Sequence, residues 1–354
     1  THLREHHIVA DIAYAIYQYY SATDDLNFMI HYGLEMLLET ARFWASRVEL
    51  KLRTKKYDIK NVIGPDEFHE NVNNNAYTNY MAQWNMRIAV KTLKLFKKRY
   101  GRKIQRLLKK IKMNSKEISH MSKIASVLAN TLPHKNGLIE QFDGYFLKRH
   151  VKLRDLKKKI IPDLPKTIPL NEYNKTQLIK QADVVMLLYL LGDQFDFKTK
   201  KKNYQYYLQR TLHTSSLSPS IHAIMSAEVG DRRRAYQFFL NALFIDLKNI
   251  YGNTPDGIHG ASLGGTWQTV INGFAGLRAQ RSGILCIDPN LPDEWKSLRF
   301  KILWKNVEIH CAIFEHEVEV FFKSKTVPHI KAIVFQQLKT IYANRWNNYR
   351  RELS

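Results

Sequence analysis

Residues 63 to 79 gather more chemistry-bearing side chains than a connector needs: Ile63-Gly64-Pro65-Asp66-Glu67-Phe68-His69-Glu70, then Asn71-Val72-Asn73-Asn74-Asn75-Ala76-Tyr77-Thr78-Asn79. Gly64-Pro65 sets a turn, because Gly tolerates unusual dihedrals and Pro fixes its own φ. Three carboxylates (Asp66, Glu67 and Glu70) and His69 follow it. Asn75 is suited to cap a helix starting near Ala76. Two readings stand on the residues alone. In one, a rigid turn holds a carboxylic acid still as a proton donor. In the other, this is a solvated acidic loop ending in an N-cap.

Several elements must surround this stretch. Residues 8–20 and 26–50 carry helical periodicity, 51–62 read as extended or a short hairpin, and 76–98 form a third helix. Basic helices occupy 101–130, with polar punctuation at Asn114-Ser115. Residues 131–174 read mostly as loop and carry no domain boundary. Helices are expected again at 175–191, 202–212, 218–227, 232–245 and 258–280. Near Ser282 the period changes to two, in Leu298–Trp304, Val307–Ile313 and Val318–Phe322. The chain is therefore mainly α, with paired antiparallel helices over 1–281. A short antiparallel β domain of about four or five strands is expected over 282–338. A basic helical or frayed tail follows at 339–354.

The 354 residues are 45% hydrophobic and 25% charged, a globular composition, with a formal net charge of +23. The charge concentrates at 97–103, 109–112, 157–159 and 200–202. None of these runs interleaves aromatics as a base-stacking platform would, so they read as solvated faces, with no specific nucleic-acid partner. Cys286 and Cys311 have no zinc or redox spacing. His6, His7, His69 and His259 show no metal-ligand pattern, so no metal is expected. No apolar run reaches about 18 residues, so no membrane span is expected, and a reduced cytoplasmic protein fits. The chain is expected to begin inside a larger domain, since helical pattern starts almost at once.

Several stretches, in order, resemble glycoside hydrolase family 65, the inverting disaccharide phosphorylases. They are His6–Ala15 with Glu35–Ser46; Gly64–Glu70 with Asn73–Asn79; Lys180-Gln181-Ala182-Asp183-Val184; and His213–Ser218 with His259–Trp267. Gly283–Trp295 is similar to the passage into that family's C-terminal β-sandwich. The resemblance implies part of an (α/α)6 barrel followed by a short antiparallel β-sandwich-like domain. It also implies an α-linked glucose disaccharide and inorganic phosphate as substrates, no cofactor, and a homodimer in the full-length protein.

By the same resemblance Glu67 is the general acid, and Asp66 and Glu70 are neighbours whose charge would favour its protonated form. Lys180 and Gln181 match residues that bind the cleaved glucose, on an apolar helix. Phosphate would lie between His213-Thr214-Ser215-Ser216 and Ser262–Thr266, with His213, Ser215, Ser216, Gly264 and Gly265 contributing. Read alone, either segment is a plain N-cap or turn, and Trp44 is a sugar platform or core. The wording of the motifs leans slightly toward the kojibiose branch. The family's N-terminal β-sandwich, linker and first barrel helices are not matched. The chain is thus expected to be a fragment, a split or degenerate product, or a half that pairs with another chain. Two alternatives remain: a non-catalytic binding or assembly remnant, and an inverting α-glucoside hydrolase.

Overall fold

The computed structural model describes residues 3–129, 133–153, 161–162, 164–165, 168–279 and 283–352. The contacts divide the chain into two compact units. One is built from 1–20, 25–151 and 165–179, the other from 21–24, 152–164 and 180–354. The junction expected at 281 falls among residues outside the described ones, as does the basic run at 157–159.

In the first unit, α1 (His7–Thr23) turns Ala10, Ala13 and Ile16 inward. Asp25 caps the single turn α2 (Leu26–Phe28) by accepting the Phe28 amide. The chain then widens into a π-turn, Met29–Gly33, before α3 (Leu34–Arg47). Gly33 permits this close turn, because a Cβ there would lie 2.5 Å from Met29 Sδ. The strands β1 (Glu49–Lys51) and β2 (Lys56–Asp58) pair antiparallel, Glu49 opposite Asp58.

The long helix α4 (Ala76–Lys110) begins where the Asn75 side chain accepts the Thr78 amide. From Ala76 to Leu93 it is buried almost throughout, with Tyr77, Met81, Trp84 and Ile88 as the apolar mass. The expected end near Lys98 is only a kink at Tyr100 (φ −130°, ψ 36°), after which the helix continues to Lys110. Beyond Leu93 most positions are exposed lysines and arginines, as expected of a solvated face. Asn114 caps α5 (Ser115–Val127) by accepting the Glu117 amide.

The second unit holds α6 (Val184–Leu190), α7 (Phe197–Leu208), α8 (Ser218–Glu228), α9 (Arg232–Leu243) and α10 (Gly260–Gln268). Two expectations are corrected here. Residues 175–183 are bends and a 3-10 turn, not helix. The helix expected to run to 280 ends at Gln268 and is followed by a π-turn, Thr269–Phe274, and by strand β3 (Leu277–Ala279).

One sheet has the order β10-β7-β6-β5 and the other β3-β4-β8-β9. Their strands are β4 (Leu285–Ile287), β5 (Leu298–Trp304), β6 (Val307–Ile313), β7 (Glu317–Phe322), β8 (His329–Val334), β9 (Gln337–Tyr342) and β10 (Asn347–Arg350). All pairs are antiparallel except β4 with β8, Leu285 opposite Ala332. The expected tail at 339–354 is therefore strand at 339–342 and 347–350. β9 pairs with β8 and β10 with β7, so the strand backbone is satisfied in a ladder. The β strands and α6–α10 share one unit through Phe239, Phe274 and Trp295, whose ring centroids lie 5.1–5.6 Å apart.

Candidate active site

The Glu67 loop is a closed structure. Val62 and Val72 exchange backbone hydrogen bonds of 3.0 Å, which ties the two ends of the loop together. The Ile63 amide donates to the Arg4 carbonyl. Asn74, at φ 51°, donates its amide to Ile59 O and its side chain to Asp58 and Asp143. Gly64 has no positive φ, so the turn after it uses Pro65 and hydrogen bonding, not a glycine-only conformation.

Within this frame Asp66 and His69 are 1% and 2% exposed, while Glu67 and Phe68 between them are half-buried. Asp66 Oδ2 lies 2.6 Å from His69 Nδ1 and accepts from Gln141 Nε2 at 2.9 Å. Asp66 Oδ1 accepts the Phe68 amide at 3.3 Å. His69 Nε2 lies 2.9 Å from the Thr176 carbonyl, so this nitrogen carries a hydrogen and donates it. The ring packs on Phe142 and Tyr145. Asp66 was expected to act on Glu67 as a neighbouring charge. Its carboxyl group instead faces the Phe68 amide, Gln141 Nε2 and His69 Nδ1 on its own side, and Glu70 is exposed to solvent. Sequence reading named His69 only as a histidine without a metal pattern, although its i,i+3 spacing from Asp66 was a usable signal.

The remaining candidates lie in the second unit. Lys180 and Gln181 sit in the bend before α6, half-buried and buried respectively, and not on the apolar helix expected. The helix starts later, after Asp183, a buried residue at φ −121°, ψ −82°.

His213 is fully buried at φ 54°, and its Nδ1 lies 2.9 Å from Ser218 Oγ, at the first position of α8. The His222 Nδ1 donates to the Ser218 carbonyl at 3.0 Å. The Ser218 hydroxyl thus meets His213, while its carbonyl meets His222. The two rings meet edge to face at 4.4 Å, with Phe238 against both. Burial drives the His213 imidazole well below its ordinary value, helped by the His222 and Arg234 charges. Burial also lowers His222, to about 4. His213 thus stands behind the loop as an uncharged support. Ser215 and Ser216 lie half-buried in front of it, and Ser215 Oγ accepts the Leu217 amide at 3.3 Å.

The second segment expected at the phosphate lies inside the helix expected at 258–280. Ser262, Leu263, Gly264, Gly265 and Thr266 all lie within α10, where amides past the first turn bond back along the helix. Gly265 is there for packing, since a Cβ would lie 2.4 Å from Ser220 Oγ. A Cβ at Gly264 meets nothing within 4 Å. His259 precedes the helix and holds Asp246 through both its amide (3.0 Å) and Nδ1 (2.5 Å). Asp246 carries no sequence signal, being remote from every motif. Trp44 is fully buried against Phe43 and belongs to the core.

The profile of the glycosyl hydrolase family 65 central catalytic domain matches residues 1–268, and that of the family 65 C-terminal domain matches 277–330. The chain belongs to glycosyl hydrolase family 65. Among curated relatives in this family, the kojibiose phosphorylase of Caldanaerobacter subterraneus subsp. tengcongensis is 45% identical over 316 residues, which is 89% of this chain and 41% of the relative. The α,α-trehalose phosphorylase of Thermoanaerobacter brockii is 37% identical over 315 residues, 89% of this chain and 40% of the relative. A solved structure described as a putative kojibiose phosphorylase from human microbiome aligns with a TM-score of 0.84 at 32% identity, over 98% of this chain and 50% of that one. The chain thus spans about two fifths of the length of these curated relatives. No helix among the described residues is long and apolar enough to cross a membrane.

Proposed function

We propose that this chain carries the catalytic region of an inverting phosphorylase that cleaves an α-linked glucose disaccharide with inorganic phosphate. A phosphate oxygen attacks the anomeric carbon as the glycosidic C–O bond breaks. The carboxylic acid of Glu67 gives its proton to the departing sugar oxygen. The products are β-glucose 1-phosphate and the free sugar, and the Glu67 carboxylate is reprotonated from the phosphate pool. A hydrolase needs a second carboxylate to activate water, whereas phosphate is already a nucleophile. Ser215 and Ser216, just before α8, suit an anion; for Gly264 and Gly265, inside α10, only the family resemblance supports a phosphate role. Lys180 and Gln181 suit glucose hydroxyls. Kojibiose is the first substrate to try, with maltose, nigerose and trehalose beside it, and a homodimer of the full-length protein is the assembly we expect.

The observation that carries this reading is the Glu67 turn in a chain of this family. Asp66 faces inward to His69 and Gln141, Glu70 faces solvent, and Glu67 alone of the three stands half-buried on a pinned turn. The natural full-length protein, incubated with phosphate and each disaccharide, is expected to release β-glucose 1-phosphate. Glu67→Gln should reduce this by roughly 100- to 10,000-fold. Release unaffected by that substitution, or no release from any α-glucoside, would sink the mechanism. Free glucose formed without phosphate would point to hydrolysis instead.

A further inference from the structure

We infer that Asp66 and His69 are positioning residues that together fix the direction of the Glu67 side chain. The inference rests on the reading of Glu67 as general acid.

Asp66 and His69 are the first and last residues of the turn that has Glu67 and Phe68 at its centre. Their side chains close on each other at 2.6 Å, and Asp66 also ties down the Phe68 amide. Each is then anchored to a different part of the first unit. Asp66 is held by Gln141, 75 positions away, and His69 by the Thr176 carbonyl, 107 positions away. Phe68 packs on Tyr173 with ring centroids 5.0 Å apart. Both sides of Glu67 are therefore fixed to separate segments. Turning the ring over would point carbon atoms at both partners, so its orientation is unique.

Stability alone gives a weak reason for such a pair. Burying a carboxylate and an imidazole forfeits favourable hydration, a cost that an apolar pair of the same volume does not incur. What the pair supplies and an apolar one cannot is direction, since each bond fixes an angle as well as a distance. A proton donor misplaced by about 1 Å can lose roughly a hundredfold in rate.

The test separates positioning of the acid from general loss of structure. A sugar leaving group needs a proton, whereas fluoride, the conjugate base of a much stronger acid, leaves without one. For the natural full-length protein, phosphorolysis of the preferred disaccharide is divided by phosphorolysis of α-glucosyl fluoride. This ratio is independent of how much enzyme is folded. His69→Phe and Asp66→Asn should each lower it at least tenfold, with KM for phosphate within about twofold of the parent. The double variant should be no worse than either single one, because one network is being removed. His69→Gln, a milder change that keeps a donor toward Thr176, should lower the ratio less, and it carries the test if the other variants do not fold. A ratio unchanged in variants that retain activity overturns the inference, leaving Asp66 and His69 as ordinary core. Glu67→Gln is run alongside. If it leaves the ratio unchanged, the reading of Glu67 as general acid fails, and that failure is recognisable separately.

Discussion

At the scale of single residues, the sequence motif and its structure assign different work to neighbouring groups. Asp66 is next to Glu67 in the chain, yet its carboxylate faces His69 and Gln141. Proximity along the chain suggested charge repulsion, and only the fold shows where the carboxylate points. The cap was more legible. Asn75 was expected to start α4, and its side chain accepts both the Thr78 amide (2.9 Å) and the Thr78 hydroxyl (2.8 Å). Asn75→Ala should cost about 1 kcal/mol of unfolding free energy in denaturant titration. A change within a few tenths would show that the cap is dispensable. Two adjacent glycines make a sharper contrast. Gly265→Ala must displace Ser220, whose Oγ and Cβ would lie 2.4 and 2.7 Å from the new methyl. It should destabilise by about 1–3 kcal/mol, partly rescued by Ser220→Gly. Gly264→Ala has open space and should be neutral or slightly stabilising by thermal melt.

At the scale of elements, the buried histidines behind the Ser215-Ser216 loop make stability depend on pH. In the unfolded chain both rings titrate near 6.5, whereas burial holds His213 well below that value and His222 at about 4. Between these limits the unfolded chain binds more protons than the folded one, so stability falls as pH falls. Above about pH 6.5 the contribution is complete. For His222 it amounts to roughly 3 kcal/mol by pH 4. Urea titrations from pH 7 to 4 should show a shallower loss in His222→Phe than in the parent, and equal slopes would refute the assignment.

Element type was readable wherever one periodicity ran unbroken, as in α1, α8, α9 and β5–β7. It failed at 175–183, where Leu178, Ile179 and Ala182 are buried in irregular backbone and only imitate a helix in their apolar spacing. It also failed at 339–350, where β9 (QLKTIY) and β10 (NNYR) are short and mostly polar and show no clear alternation. α10 falls inside the helix expected at 258–280, and Gly265 there serves helix packing.

At the scale of the whole molecule, charge and connection matter most. A net charge of +23 should make the folded state repel itself. Raising salt from about 10 to 200 mM shortens the screening length from about 30 Å to below 10 Å. The melting temperature should therefore rise over that range, and a fall would mean that attractive ion pairs dominate. The Glu67 loop, finally, has a consequence for degradation. A protease needs to draw a stretch of chain out into its cleft, and exposed segments without regular structure are the usual victims. Residues 63–75 contain no helix or strand, yet the Val62–Val72 bridge, Arg4 and Ile59 hold their backbone near both ends, and the Asp66 side chain ties down the Phe68 amide in the middle. Limited Glu-specific digestion should leave the Glu67 and Glu70 bonds intact while those after Glu294 and Glu315, exposed in irregular backbone, are cut. The most chemically active stretch of the chain would then be among the last to be cleaved.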